Sequence, residues 1–279
     1  MKLSIITVNK NNYKGLEKTI ASVIEQTNKD YEFIVVDGNS TDQSLEIIKK
    51  YAFGIHHWFH EEDNGIYNAM NKGIRKAEGE YCLFLNSGDW LVNNDTLQKV
   101  INELESTPLA DIYYTGCMAT NKIYFQPPKT IDINYLVLHN LNHQNSLIKR
   151  SLFIEHGLYD EGFKIAADYH FWLRAFWCHN VTFQYIDTNI AFYDSKGFST
   201  YSKYDNELEH AVRLVFGSLA DSVIKLRRYC HGPYGSIVEY YGNFKSLSFL
   251  LKLYRRIVLI FKPKIYTLHY DVKQAKTSS

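Results

Sequence analysis

Short apolar runs alternate with segments of helical apolar spacing along the first ninety residues of the chain. The runs predict strands over residues 3–8, 32–36, 55–59 and 81–85, and the segments between them predict three helices. Such an alternation is typical of right-handed βαβ crossovers and of a parallel sheet with helices on both faces. The sequence therefore predicts an α/β fold.

The stretch YCLFLNSGDWL, residues 81–91, lies at the centre of this pattern. Its first five residues are mostly apolar, as in a strand that is buried on both faces. The run ends at the polar residues 86–89, and open α/β sheets bind ligands at the carboxyl ends of their strands. Taken alone, the fragment favours an ordinary turn, because Asn, Ser, Gly and Asp are the commonest turn formers.

Polar clusters follow the other predicted strands as well. They are Thr7–Asn9, Asp37–Ser40, Asp63–Gly65 and Asn86–Asp89. Each cluster fits a turn, but their shared position along one edge of the sheet favours a common pocket. The acids among them can contact base or ribose hydroxyls, or hold a divalent cation against a diphosphate.

Several other kinds of site are absent from the sequence. No GxGxxG follows the first strand and no GxxxxGK[ST] occurs, which excludes a dehydrogenase-type dinucleotide site and a Walker-type nucleotide site. GxSxG and HExxH are also missing, which removes the usual serine hydrolases and zincins.

The composition narrows the class of partner and compartment. Thirty-one basic and thirty acidic residues give a net charge of +1, so the electrostatic footprint of a nucleic-acid-binding protein is absent. The four cysteines lie far apart and form no CxxC pair, which indicates a reducing cytoplasm rather than a disulfide framework or zinc site.

Beyond residue 91 the pattern is less regular, and the prolines at 127–128 break any element there. The pattern predicts helices over residues 95–104, from residue 166 onward and over 203–229. It predicts strands over residues 112–114, 143–148 and 181–190, and irregular chain over 118–140.

Asp168 stands at the start of the helix predicted from residue 166. Apolar residues follow it at i+3, i+4, i+7 and i+8, so its carboxylate begins the apolar face of that helix. An Asp there is commonly an N-cap, although Phe171 at the N3 position provides no reciprocal capping box. It can equally be a general base, and spacing alone leaves both interpretations open.

The C-terminal stretch 247–262 combines large apolar residues with Lys and Arg. It fits a helix on a membrane surface, and it fits a helix packed on the protein with solvated bases slightly better. No segment reaches the 18 to 20 uninterrupted apolar residues of a membrane span, and the N-terminal apolar run is too short for a signal peptide. Residues 273–279 are predicted to be disordered.

Six motifs in order carry a family resemblance over roughly residues 1–200. They are SIITVNKNN, EFIVVDGNSTD, EDNGIYNAMNKGI, GEYCLFLNSGDWL, HQNSLIKRSLF and IAADYHFWLRA, and together they resemble the family 2 glycosyltransferases of the GT-A fold. The resemblance implies a mostly parallel, Rossmann-like sheet and an inverting transfer of a sugar, of the hexosyltransferase type, from a nucleotide-diphosphate donor to an acceptor hydroxyl. It assigns residues 1–115 to the nucleotide-sugar half, 116–200 to the acceptor half and 201–279 to a helical extension.

The resemblance also assigns roles to individual residues. Asp168 matches the catalytic base, and Asp89 matches the last acid of the DxD-type motif, which holds Mg²⁺ or Mn²⁺. The His143-Gln144 pair borders the acceptor, and the Gly197–Thr200 loop closes over the diphosphate. The donor nucleotide is bound by Thr7, Asn9, Asp37, Asp63, Asn71, Ser87 and Gly88.

The chain departs from the family pattern at three points. Asn86 and Gly88 replace further acids near Asp89, so the affinity for metal without nucleotide is expected to be weak, and Ala167 replaces the usual acid before the base. The QxxRW of processive synthases is missing, which favours addition of a single sugar. The expected donor is a UDP-sugar or GDP-sugar. The expected acceptor is a glycan used in polysaccharide or lipopolysaccharide assembly in the cytoplasm. The basic, apolar stretch 247–262 favours a lipid-linked glycan at the inner face of the plasma membrane.

Two alternatives remain at this point. A non-catalytic nucleotide-sugar or glycan-binding protein of the same fold would explain the few acids near Asp89. A sugar nucleotidylyltransferase would need a Gly-rich, basic loop after the first strand, whereas residues 7–12 contain no Gly and only Lys10 as a base.

Overall fold

The computed structural model describes residues 3–121, 123–195 and 205–230. The Gly197–Thr200 loop, the stretch 247–262 and the terminal residues 273–279 lie outside these ranges, so their predicted roles stay predictions.

The main sheet has seven strands and is mostly parallel. Its strands are β1 (Leu3–Asn9), β2 (Tyr31–Asp37), β3 (His57–His60), β4 (Tyr81–Phe84), β6 (Ile112–Tyr114), β9 (Ser146–Lys149) and β10 (Phe183–Tyr185). They lie in the order β10-β6-β9-β4-β1-β2-β3, and β9 alone among them runs antiparallel to both of its neighbours.

A second sheet of four short strands accompanies the first. Its strands are β5 (Trp90–Leu91), β7 (Cys117–Ala119), β8 (Tyr124–Phe125) and β11 (Ala191–Tyr193), in the order β5-β11-β7-β8.

Nine α-helices lie within the described residues. They are α1 (Tyr13–Ile24), α2 (Ser44–Lys50), α3 (Ile66–Lys76), α4 (Thr96–Ser106), α5 (Ile133–Leu138), α6 (Arg150–His156), α7 (Ala167–His179), α8 (Asp205–Phe216) and α9 (Ala220–Cys230).

The core of the main sheet explains why its central strands were visible in the sequence. Every residue of β1, β2 and β4 is buried, because helices cover the sheet and leave no solvent-facing side. The predicted α/β fold is confirmed, and each of the four early strands was predicted to within two residues at either end.

Four predictions of secondary structure were wrong. Residues 118–140 contain β8 and α5 rather than irregular chain, and α5 begins where the Asp132 side chain accepts a hydrogen bond from the N–H of Tyr135. Residues 143–145 form a 3₁₀ turn before β9. The predicted strand 181–190 is interrupted where Glu103 accepts the N–H groups of residues 187 and 188. Gly217, at φ +53°, separates α8 from α9.

The described residues form two compact units. The first comprises those within Met1–Thr130, Leu141–Asp168 and Thr182–Tyr204, and the second those within Ile131–Asn140, Tyr169–Val181 and Asp205–Ser279. The division predicted at residues 115 and 200 concerned ligand binding rather than compactness, and it stays a prediction. No helix in the described ranges is long and apolar enough to cross a membrane.

Gly73 lets α3 approach β1 closely. A Cβ added at Gly73 would lie 2.4 Å from the Cγ2 atom of the buried Ile6. We therefore expect Gly73→Ala to lower the free energy of unfolding, because overpacking of about 1 to 3 kcal/mol exceeds the gain of about 1 kcal/mol in helix propensity. Urea unfolding measures the difference, and a variant as stable as the wild type would contradict the close packing.

Candidate active site

The carboxyl ends of β1, β2 and β3 bring three polar residues into register. Asn9 is paired with Asp37 across β1 and β2, and Asp37 with His60 across β2 and β3. The fully buried Asp37 carboxylate accepts hydrogen bonds from the Asn9 amide at 2.5 Å, from the Ser40 hydroxyl at 2.6 Å and from the Ser40 N–H at 2.9 Å. The His60 Nδ1 atom lies 2.6 Å from the same carboxylate. Asn9, Asp37, Ser40 and His60 therefore form one hydrogen-bonded polar cluster at the carboxyl edge of the sheet.

Asp63 lies against this cluster. A Cβ added at Gly38 would be 2.0 Å from the Asp63 Oδ2 atom, so only glycine allows the carboxylate to pack there. Lys10 lies 3.8 Å from Asp63. The buried Oδ1 atom of Asn9 has no hydrogen-bond partner in the described structure. Three of the predicted donor residues thus lie at one edge of the sheet, as the strand pattern indicated.

The turn after β4 is held by the first helix. The Thr19 hydroxyl donates to the Asp89 carbonyl at 2.6 Å and accepts from the Gly88 N–H at 3.0 Å. The Asn12 amide donates to the Ser87 carbonyl at 3.0 Å. Gly88 has φ +108°, a conformation that residues with a side chain rarely adopt. The turn therefore fixes the direction in which Asp89 points.

The Asp89 carboxylate is almost completely buried, with 3% of the residue exposed. Burial raises its pKa to about 6, although the Asp194 N–H and the Gln144 amide act in the opposite direction. The Asp194 N–H donates to Asp89 Oδ1 at 2.8 Å. Because the charged form of a buried carboxylate is costly, this site favours a positive partner.

The residues around Asp89 fit a hard divalent cation such as Mg²⁺ or Mn²⁺. The Asp194 carboxylate lies beside the turn, with its Oδ2 atom 3.0 Å from the position of a Cβ added at Gly88, and its charge contributes to the raised pKa of Asp89. Within the described ranges, no group of three or more His, Cys, Asp or Glu side chains could hold a metal.

Asp168 lies in the first turn of α7 and contacts His143. The Asp168 Oδ2 atom is 3.1 Å from His143 Nδ1, and the Tyr67 hydroxyl is 3.4 Å from Asp168 Oδ1. The Tyr67 hydroxyl also donates to the Ile165 carbonyl, and burial followed by the charge of Asp168 raises the pKa of Tyr67 well above its usual value. Because α7 begins at Ala167, Asp168 is inside the helix rather than at its N-cap.

Two residues assigned to the donor site make structural contacts. Thr7 is fully buried and its hydroxyl donates to the Leu85 carbonyl at 2.7 Å, which ties β1 to the end of β4. The Asn71 amide donates to the Tyr159 carbonyl at 2.9 Å and to Glu161 at 2.8 Å, and its Oδ1 atom accepts the Tyr159 N–H. Their predicted contacts with nucleotide stay predictions.

Sequence reasoning missed several residues of the site. Asp194 lies 105 positions from Asp89 and Tyr67 lies 101 positions from Asp168, so no local spacing links either pair. His60 could have been identified from the sequence as a residue of the site, because it lies at the end of β3, in register with Asp37.

Comparisons with known proteins identify the family. The model of "Glycosyl transferase family 2" matches residues 4–169. A PGL/p-HBAD biosynthesis glycosyltransferase of Mycobacterium bovis is 31% identical over 208 residues, which cover 73% of this chain and 81% of that protein. An uncharacterized glycosyltransferase of Mycobacterium tuberculosis is 32% identical over 178 residues, covering 62% of this chain and 68% of that protein.

Solved structures share the fold. Residues 1–349 of Staphylococcus aureus TarS, in complex with UDP-GlcNAc, give a TM-score of 0.67 at 18% identity, covering 89% of this chain and 78% of that one. The mannosyltransferase PcManGT from Pyrobaculum calidifontis, in complex with GDP-Man and Mn²⁺, gives a TM-score of 0.59 at 14% identity. The match covers 96% of this chain and 83% of that one. The resemblance carried by the six motifs is confirmed, and the chain belongs to glycosyl transferase family 2, with the GT-A fold.

Proposed function

We propose that this glycosyltransferase uses a nucleotide-diphosphate sugar and transfers a single sugar to an acceptor hydroxyl with inversion at the anomeric carbon. The observation that carries the proposal is that Asp168 contacts His143 of the 3₁₀ turn His143–Asn145, while Asp89 is buried in the turn after β4 and accepts the Asp194 N–H. One is buried at the end of a central strand, where ligands of α/β sheets bind, and the other begins a helix. The two carboxylates suit separate donor and acceptor roles.

The reaction follows from these positions. The acceptor oxygen attacks the anomeric carbon as its bond to the diphosphate oxygen breaks, and the electron pair of that bond leaves with the nucleoside diphosphate. Asp168 takes the proton of the acceptor hydroxyl, which is general-base catalysis. Asp89 would hold Mg²⁺ or Mn²⁺, which offsets the negative charge that develops on the leaving group. Asn9 and Asp63 border the nucleoside side of the sheet edge.

The biological setting is a further part of the proposal. The name of the mycobacterial relative places that protein in PGL/p-HBAD biosynthesis, which supports a role for this chain in assembling a cell-surface glycan. TarS and PcManGT were solved with UDP-GlcNAc and GDP-Man, which supports a UDP-sugar or GDP-sugar as donor. A lipid-linked acceptor at the cytoplasmic face of the membrane would suit the basic, apolar composition of residues 247–262.

A thermal-shift panel of UDP, GDP, dTDP and CDP, each with and without Mn²⁺, tests the donor site. A nucleotide at about a hundredfold its dissociation constant stabilises the folded protein by roughly 2.7 kcal/mol, a shift that is easily measured. We expect one nucleotide to raise the melting temperature, more so with Mn²⁺, and Asp89→Ala to remove the Mn²⁺-dependent part. The absence of a shift with every nucleotide would contradict the proposal. A shift without transfer of any sugar would favour the non-catalytic binding protein.

A further inference from the structure

The 3₁₀ turn His143–Asn145 presents three consecutive side chains to three different parts of the site. His143 contacts Asp168, and the buried Gln144 lies close enough to Asp89 to lower the pKa of its carboxyl. The Asn145 side chain accepts the N–H groups of Ile190 and Ala191 and donates to the Ala191 carbonyl. One short turn therefore contacts Asp168 and the start of β11, and the residue after β11 contacts Asp89.

The His143 ring is fixed by contacts at both of its nitrogen atoms. Its Nδ1 atom lies 3.1 Å from Asp168 Oδ2, and its Nε2 atom lies 3.1 Å from the Asn86 Nδ2 atom. An ionised carboxylate only accepts hydrogen bonds and an amide nitrogen only donates them. A neutral ring that carries its proton on Nδ1 satisfies both contacts at once. Phe84 packs edge-on against the ring, with centroids 6.5 Å apart.

The same turn lies beside Asp89. Gln144, with 4% of the residue exposed, is close enough to lower the pKa of the Asp89 carboxyl. Asn145 holds the beginning of β11, and the residue that follows this strand, Asp194, donates its N–H to Asp89 Oδ1 at 2.8 Å. The orientation of Asp89 thus depends on the turn through the contacts of Asn145 with β11.

We propose that the turn His143–Asn145 is a positioning element that sets the two reactive carboxylates relative to each other, with His143 orienting Asp168, and with Gln144 and Asn145 positioning Asp89. The assignment of separate reactive roles to these carboxylates rests on the proposed function, whereas the hydrogen-bond arrangement does not. His143 donates its Nδ1–H to Asp168 and accepts from Asn86 at Nε2. The turn therefore holds the base and the donor site through different side chains.

The first test is independent of activity. Nitrogen-15 NMR of the histidine rings in the full chain, with the His143 signal identified by its loss in His143→Asn, reports which ring nitrogen carries the proton. We expect the Nδ1–H tautomer in the wild type and a changed His143 signal in Asp168→Ala. An Nε2–H tautomer with a bare Nδ1 atom would overturn the proposal, whatever the protein catalyses.

The second test separates the two halves of the turn by kinetics. With UDP-GlcNAc or GDP-mannose as probe donor, we expect His143→Leu to lower kcat at least about tenfold while KM for the donor stays within about twofold. His143→Asn, whose amide can donate near the Nδ1 position, should recover part of that loss. Gln144→Met should instead weaken the Mn²⁺-dependent binding of UDP or GDP, measured by thermal shift.

Controls distinguish this pattern from simple destabilisation. His56→Leu removes a ring that accepts the Phe33 N–H near the amino end of β2, and we expect it to leave kcat and nucleotide binding unchanged. Equal effects of the His143 and Gln144 variants on both kcat and nucleotide binding would overturn the proposal. A wild-type protein that neither binds nucleotide nor turns over a donor would refute the proposed function, and the tautomer measurement would still decide the arrangement of the turn.

Discussion

Asp168→Asn is expected to bind the donor nucleotide like the wild type while turnover falls by about 10² to 10⁴ fold, the usual contribution of a general base. The substitution keeps the shape of the side chain, and its amide oxygen can still accept the Nδ1–H of His143, 3.1 Å away in the wild type. It removes the group that takes the acceptor proton. Because Asp168 contacts His143 and Tyr67 rather than the cluster around Asp37, the nucleotide site should be unaffected.

The measurement pairs initial rates of nucleoside diphosphate release with thermal shifts produced by UDP or GDP. Asp160→Asn is a matched control, because it makes the same chemical change in a loop where the side chain only needs to accept the Gly162 N–H. The control should keep full turnover. Normal turnover in Asp168→Asn would remove Asp168 from the role of base, and loss of nucleotide binding would mean that it acts on the donor site.

Asp89→Asn is expected to produce a ligand-free protein that is more stable than the wild type near neutral pH, and that has lost Mn²⁺-dependent nucleotide binding. Burial raises the pKa of Asp89 from 3.8 to about 6. A shift of that size corresponds to a cost of about 2 to 3 kcal/mol for ionising the buried group. The amide avoids this cost, and its oxygen can still accept the Asp194 N–H, but it cannot offer a charged ligand to a cation.

The difference in unfolding free energy between the wild type and Asp89→Asn should depend on pH. Asp89 has a folded-state pKa above its unfolded value, so the wild type should lose stability relative to Asp89→Asn as the pH rises from about 4 through about 6. The difference should stay constant above that window and vanish below it. Urea unfolding at several pH values measures it, with the exposed Glu105→Gln as a control that should show no such trend. A wild type that remains more stable at pH 8 would contradict the cost of burying this charge.

The sequence predicted the half of the site that is encoded locally. Asn9, Asp37 and Asp89 each follow an apolar strand, and parallel strands bring their carboxyl ends to one edge, so the strand pattern was sufficient to group them. Gly88 and the residues around it also read correctly as a turn, because their conformational preferences are local.

The other half depends on contacts between distant segments. The helical spacing after Asp168 suggested one apolar face, yet the first nine residues of α7 are all buried, so the spacing could not show which way its carboxylate points. Residues 143–148 were predicted to be one strand because the apolar end of this segment belongs to β9. The sequence did not mark the 3₁₀ turn at its polar start. That turn contacts Asp168 directly and Asp89 through β11, and it is placed by β9, which lies antiparallel between β4 and β6.

Proton NMR of the reacting sugar distinguishes inverting from retaining transfer from a nucleotide-diphosphate sugar. The protein is incubated with Mn²⁺ and UDP-GlcNAc or GDP-mannose, whose sugars are α-linked, with water as the acceptor. The sugar released by transfer to water is observed before its anomers interconvert. We expect release of the nucleoside diphosphate together with a free sugar that begins in the β configuration, and loss of both signals in Asp168→Asn. A product that begins in the α configuration, or intact donor with every nucleotide sugar that binds, would contradict this expectation.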